Sequence, residues 1–169
     1  QKLFYHRVGT PQSDDALVYE RPDEPEWGFS PDVSSDGRWL VITIWKGTDD
    51  KYRVAFKDLH EPYAMPATLI DNFDREYTFI DADGSTFFFR TDLEAPTRRI
   101  IAIDVRRPER EHWREVVPAA AETLTETGLV GNLFVCQYLK DAKSHVKLFD
   151  MSGKFVREVE FPGIGTAAG

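Results

Sequence analysis

Val33-Ser34-Ser35-Asp36-Gly37-Arg38-Trp39-Leu40-Val41-Ile42-Thr43-Ile44-Trp45 reads as a hairpin turn feeding an almost wholly apolar strand. Glycine supplies left-handed backbone in such a turn, and short polar side chains bond their own main chain. Trp39 to Trp45 is aromatic, aliphatic or β-branched throughout. A strand apolar on both faces belongs between packed neighbours rather than at a solvated surface. Outward from this hairpin the pattern repeats. Gly37, Gly84 and Gly131 are spaced 47 residues apart, and Asp58, Asp104 and Asp150, which end apolar runs, are spaced 46 apart. Two independent markers thus give one period.

Each period holds four short runs rich in Val, Ile, Phe, Tyr, Trp and Thr, split by Gly, Asp, Asn or Pro. The first unit reads Phe29–Ser34, Arg38–Trp45, Tyr52–Leu59 and Thr68–Asn72. The second reads Tyr77–Ile80, a turn over Asp81–Gly84, Thr86–Thr91, Arg99–Val105 and His112–Pro118. The third reads Thr123–Val130, Asn132–Leu139, His145–Phe149 and Lys154–Phe161. Val156-Arg157-Glu158-Val159-Glu160-Phe161 is interrupted by polar residues, as a half-solvated strand requires. Only Pro118–Glu126, with Ala119, Ala120, Ala121 and Glu122, has helix-forming composition, enough for one helical turn.

Four antiparallel strands repeated every 40–50 residues are the signature of β-propeller blades. A β-sandwich has no reason to keep such a period. The expected fold is therefore all-β, with about three and a half four-stranded antiparallel blades. The partition is residues 1–22 as the end of one blade, 27–72, 76–118 and 123–162 as whole blades, and 163–169 as the start of the next. The chain opens on Gln1 with Leu3–Val8 and Ala16–Tyr19 as two lone strands, and reads as a piece of a larger ring. Such a piece leaves blade faces uncovered, so in isolation it is expected to self-associate.

Of 169 residues, 41% are hydrophobic and 13% aromatic, enough for a packed core. Lys and Arg number 21 against 29 Asp and Glu, for a net charge of -8. That balance disfavours nucleic-acid and anionic-membrane partners. A single cysteine, Cys136, leaves no disulfide framework or cysteine metal cluster, and fits cytoplasm and periplasm alike.

The run Asp23-Glu24-Pro25-Glu26-Trp27, followed by Val33–Ile44, resembles the propeller of prolyl oligopeptidases, the prolyl endopeptidases. So do Lys2–Thr10, Leu69-Ile70-Asp71-Asn72-Phe73 and Tyr138-Leu139-Lys140-Asp141, so the resemblance spans essentially the whole chain and leans to the bacterial members. It implies a seven-bladed ring covering an α/β-hydrolase domain, a filter that admits short peptides, and cleavage after proline by a Ser, Asp and His in the hydrolase domain. The implied partners are the remainder of the propeller, that hydrolase domain and proline-containing peptides. Matched by position, the substrate-cleft residues are Gly28, Trp45 and Thr48. The animal enzymes carry a methionine, an arginine and a cysteine there, so location is carried over rather than side-chain role.

No catalytic residue is expected within the chain. Gly28-Phe29-Ser30-Pro31-Asp32 approaches a G-x-S-x-G elbow but ends on the wrong residue. Gly163–Gly169 mimics a dinucleotide loop without a following helix, so no cofactor is expected. Asp81-x-Asp83-Gly84 starts like a calcium loop, but Thr86 and Asp92 stand where Gly and Glu are needed, and a hairpin turn is expected instead. His6, His60, His112 and His145 are scattered, so no metal is expected. Cys136 lies in an apolar run as a buried thiol. Arg106–Glu111 mixes signs and reads as a solvated loop, and Arg98-Arg99 as a solvated edge. Among Trp27, Trp39, Trp45 and Trp113, only Trp45 falls at a cleft position. The alternative to a peptidase segment is a non-catalytic propeller module that binds a protein or peptide.

Overall fold

The computed structural model describes residues 1–141 and 143–159. Those residues form strands β1 (Lys2–Tyr5), β2 (Ala16–Glu20), β3 (Trp27–Val33), β4 (Trp39–Lys46), β5 (Tyr52–Asp58), β6 (Ala67–Ile70), β7 (Tyr77–Asp83), β8 (Thr86–Thr91), β9 (Arg99–Asp104), β10 (Arg114–Val117), β11 (Thr123–Val130), β12 (Leu133–Lys140), β13 (Lys143–Asp150) and β14 (Phe155–Val159). Among the described residues the helical segments are two 3-10 turns, Gln12–Asp14 and Arg110–His112. β1 pairs with β2, and β3–β6, β7–β10 and β11–β14 are three antiparallel sheets with strands in sequence order. This is the blade meander of an all-β propeller. The chain divides into two compact units, Gln1–Tyr77 and Thr78–Gly169.

In the first unit, Leu3, Val18 and Tyr19 of the β1–β2 pair pack on Trp27, Leu40, Ile42, Ile44 and Ala55, with Phe29 and Phe73 alongside. Tyr19 meets Phe29 edge-on at 5.0 Å. Leu40, Val41, Ile42 and Ile44 of β4 are all buried, so both faces of this central strand are covered.

In the second unit, Phe88, Ile100, Ala102, Val116 and Val117 pack on Leu124, Phe134, Cys136 and Tyr138. Phe88 and Phe134 meet edge-on at 5.1 Å, and each contributes about 1.5–3 kcal/mol by leaving water. Phe87, Phe88 and Phe89 are buried on both faces of β8, whereas in β12 burial alternates through Phe134, Cys136 and Tyr138.

The two periodic markers have distinct physical jobs. Gly37, Gly84 and Gly131 have φ of 74°, 58° and 56°, and each sits in the turn between the first and second strands of its sheet. At Gly131-Asn132 both turn residues are left-handed, since Asn132 has φ 64°. That two-residue turn matches the twist of the flanking strands. The aspartates end the third strands, where Trp39 pairs with Asp58, Thr86 with Asp104 and Leu133 with Asp150. Each carboxylate accepts the backbone N–H two residues on, from His60 at 2.9 Å, Arg106 at 3.0 Å and Ser152 at 2.9 Å.

Three local expectations are corrected. Pro118–Glu126 forms no helical turn. Thr97 Oγ1 donates to the Ala120 carbonyl at 2.7 Å and the Leu124 N–H donates to the Thr97 carbonyl at 2.9 Å, so this run, too short to sustain a helix on its own, bonds to Thr97 instead. His112 lies in a 3-10 turn rather than a strand, with its N–H on the Glu109 carbonyl at 2.9 Å. Asp81 and Asp83 belong to β7, and the turn is Gly84-Ser85. The expected start of a further blade at 163–169, and residues 160–162, lie outside the described residues.

Arg38 donates through Nε and Nη2 to Asp58 at 3.0 and 2.8 Å, and Arg106 donates likewise to Asp104 at 3.1 and 2.8 Å. These bonds and the backbone N–H contacts hold both carboxyls below the usual aspartate range. A carboxyl that titrates lower folded than unfolded gives stability that is fully present above its unfolded value and is lost as pH falls through its folded one. Urea midpoints measured from about pH 6 to pH 2 are therefore expected to fall, and Asp104→Asn to flatten part of that fall. A profile unchanged by Asp104→Asn would contradict this role.

Candidate functional site

Within the β3–β6 sheet, the β4–β5 turn, the segment entering β3 and the segment leaving β6 share one end. Trp27 organises it. Its backbone N–H donates to the Glu24 carbonyl at 3.1 Å, and the Glu24 N–H to the Arg21 carbonyl at 3.1 Å, so Asp23–Trp27 is a compact turn. The Trp27 indole is 3% exposed. The guanidinium carbons of Arg21 and Arg53 lie 4.5 and 4.8 Å from its ring centre, and Phe73 meets it edge-on at 5.1 Å. A desolvated cation–π contact is worth up to about 2 kcal/mol.

Both cations are neutralised from outside. Arg21 forks onto Asp23 at 2.9 and 2.7 Å, which lowers that carboxyl and raises the guanidinium, and Arg53 pairs with Asp71. The Tyr52 N–H donates to the Arg75 carbonyl at 3.0 Å, tying the start of β5 to the segment after β6.

Gly28 and Trp45 are cross-strand partners in the β3–β4 register. A Cβ added at Gly28 would overlap Trp45 Cε2, so the indole lies directly over the Gly28 backbone. Gly28 is buried and Trp45 half-buried. Thr48 follows Gly47, φ 64°, in the β4–β5 turn. It lines a hollow of about 350 Å³ with Lys46, Gly47, Asp49, Lys51 and Phe73. The three residues matched to a substrate cleft thus share one sheet end. Two of them touch, and the third belongs to the adjoining hollow.

Sequence reasoning missed Arg21 and Arg53 on Trp27, and Lys46, Lys51 and Phe73 around the hollow. A partial signal existed. Asp23–Trp27 and Leu69–Phe73, two of the runs that carried the family resemblance, meet here through Phe73 and Trp27.

The other candidates are engaged in local contacts of their own. Cys136 is fully buried and its thiol is pushed up to about 12 by burial, which suits packing rather than nucleophilic attack. His6 Nδ1 lies 2.6 Å from Asp15, and His145 Nδ1 lies 2.8 Å from Glu158. His112 lies 3.2 Å from Arg107. His60 contributes its backbone N–H to Asp58. Asp81 accepts the Ala82 N–H at 2.8 Å. Arg106 is bound to Asp104, and Arg99 to Glu115 at 2.9 Å. Trp39 is buried under Arg38, and Trp113 donates through Nε1 to the Pro108 carbonyl at 2.8 Å.

The sequence model of the prolyl oligopeptidase N-terminal beta-propeller domain matches residues 1–169. The prolyl endopeptidase of Elizabethkingia miricola is 33% identical over 168 residues, covering 99% of this chain and 23% of that protein. Prolyl oligopeptidase A of Amanita bisporigera is 37% identical over 120 residues, covering 69% of this chain and 16% of that protein. A solved prolyl endopeptidase structure superposes with a TM-score of 0.91 at 36% identity, over 99% of this chain and 25% of that one. Prolyl oligopeptidase B from Galerina marginata, bound to a 35mer hydrolysis and macrocyclization substrate, superposes with a TM-score of 0.90 at 26% identity, over 99% of this chain and 24% of that one. The chain therefore spans about a quarter of the length of the relatives it matches.

The Gly28–Trp45 contact gives a direct test. Gly28→Ala places a methyl where the indole lies, so Trp45 must swing outward or the strands must part, at about 1–3 kcal/mol. The expected result is a lower unfolding midpoint and red-shifted tryptophan emission. In a double-mutant cycle with Trp45→Ala most of that cost should disappear. Additive costs would contradict the contact.

Proposed function

Because this chain belongs to the family of prolyl oligopeptidase N-terminal beta-propeller domains, we propose that it is the propeller segment of a serine peptidase that cleaves after proline. In this reading the segment gates and positions short peptides, and a hydrolase domain outside this chain carries the chemistry. The observation that carries the proposal is the family match along all 169 residues. In this proposal the sheet end at Gly28, Trp45 and Thr48 is the peptide-facing surface.

The physical basis of the gate is rigidity and size. A four-stranded sheet whose end is fixed by the Trp27 cluster presents Trp45 and the β4–β5 turn in one defined arrangement. An extended peptide can lie along such a surface, whereas a folded protein is too wide to enter a narrow cleft. The bound 35mer of the Galerina marginata relative supports peptides as the substrate class. The partner is the rest of the propeller together with an α/β-hydrolase domain.

The blade partition belongs to the same proposal: 1–22 closes one blade, 27–72, 76–118 and 123–162 are whole blades, and 163–169 opens the next. Exposed Phe155 and Val156 on β14 support self-association of the bare segment.

The test uses a chromogenic Gly-Pro peptide. The full-length protein that carries this chain is expected to cleave it, and the 169-residue chain alone is not. Trp45→Ala in the full-length protein should raise KM about three- to tenfold with a smaller change in kcat, the pattern of lost binding rather than lost chemistry. Cleavage by the isolated chain, or none by the full-length protein, would overturn the proposal.

A further inference from the structure

We propose that Trp45 and Tyr52 form an aromatic notch for a second proline of the substrate peptide, upstream of the proline at the cleaved bond. The Trp45 indole N–H donates to the carbonyl that precedes this second proline. The inference rests on the reading of this chain as part of a prolyl peptidase and adds a sequence preference to it.

Strand register brings the two rings together. Gly28, Trp45 and Tyr52 are paired across β3, β4 and β5 as one row. Directly opposed residues project from the same face of a sheet, with Cβ atoms about 5 Å apart. The two side chains nevertheless diverge. The Trp45 indole lies over the Gly28 backbone, on the β3 side, because glycine leaves that space open. The Tyr52 hydroxyl donates to Asp50 Oδ1 at 3.2 Å, which anchors its ring toward the β4–β5 turn. Both residues are half-buried, so each keeps part of its ring accessible.

Trp45 differs from the other three tryptophans. Trp27 is enclosed by Arg21, Arg53 and Phe73, Trp39 lies under Arg38, and Trp113 donates through Nε1 to the Pro108 carbonyl. Among the described residues the Trp45 ring meets no other aromatic ring and no cation, and its N–H has no acceptor. The Trp27 N–H also lacks an acceptor, but it is sealed from solvent. Trp45 is thus the half-exposed indole with both its ring and its donor uncommitted.

Proline answers both features. Its ring packs on aromatic faces, and its fixed φ leaves little freedom to lose on binding. It has no N–H that an aromatic notch would strand without an acceptor. The carbonyl before it accepts from the indole, which can only donate.

The test uses the full-length protein and three acylated peptides ending in Gly-Pro-p-nitroanilide, preceded by Ala-Ala, Pro-Ala or Ala-Pro. Initial rates of chromophore release give kcat and KM. One of the two proline peptides is expected to show a kcat/KM about fivefold above that of the Ala-Ala peptide, chiefly through KM. Which one does so gives the distance from the cleaved bond to the notch. Tyr52→Ala should bring the ratio close to one. Trp45→Phe, which keeps a ring and removes the donor, should reduce it about twofold. Circular dichroism reports whether each variant is folded, and the milder Trp45→Phe decides if Tyr52→Ala is not.

Equal kcat/KM for all three peptides in the wild-type protein would overturn the inference, as would a preference left unchanged in the folded variants. If no peptide is cleaved, the peptidase reading fails. Fluorescence polarisation of the same peptides carrying an N-terminal fluorescein then still decides the notch, as a ratio of Kd values.

Discussion

An aspartate at the end of the third strand of each four-stranded sheet is the constraint on which this fold turns. Asp58, Asp104 and Asp150 each face the first residue of the second strand, and each binds the backbone N–H two residues on. The carboxylate therefore ends one strand, starts the reversal that follows, and fixes the register against the strand before. Since a one-residue slip would turn every buried side chain to the wrong face, register matters more than any single contact. The neighbouring backbone repeats the arrangement, with the Leu59 N–H on the Arg38 carbonyl at 2.7 Å and the Val105 N–H on the Ser85 carbonyl at 2.9 Å. Asp150 goes further and also accepts the Lys154 N–H at 3.0 Å, closing the longer turn into β14.

These bonds lie at one end of each sheet, and in the β3–β6 sheet the candidate site lies at the other. The aspartate end is built from local polar contacts that any blade can reuse. The site end depends on one large aromatic, Trp27, held by two arginines and a phenylalanine from different segments. The first arrangement repeats with the sequence period and the second does not. That separation lets a repeated scaffold carry a unique surface: variation around Trp45, Thr48 and the lysines leaves the register-setting contacts untouched.

The fold was legible because its markers are local. A left-handed turn favours glycine and these strand-ending carboxylates are aspartates, so residues 46 or 47 apart announced the blades. The apolar β4 and the alternating β12 were likewise readable from side-chain pattern. Local reasoning failed at Ala119–Ala121, where Ala120 accepts the hydroxyl of the distant Thr97, and at Asp81, which lies in β7 rather than in the turn. The site was legible only as positions. That Trp45 lies over Gly28 follows from the pairing of β3 with β4, and that Lys46 and Lys51 face a hollow walled by Phe73 follows from the return of the chain after β6. Neither is written in residue spacing. Two of the runs that carry the family resemblance, Asp23–Trp27 and Leu69–Phe73, meet at that end of the sheet.

The most direct test of this account is a structure of the full-length protein with a proline-containing peptide aldehyde bound. The account predicts that the β4–β5 turn, with Trp45 and Thr48, faces the bound peptide beneath a hydrolase domain, and that the Asp58 end of the same sheet faces away. A peptide seated at the Asp58 end, or a full-length protein without a hydrolase domain, would contradict it.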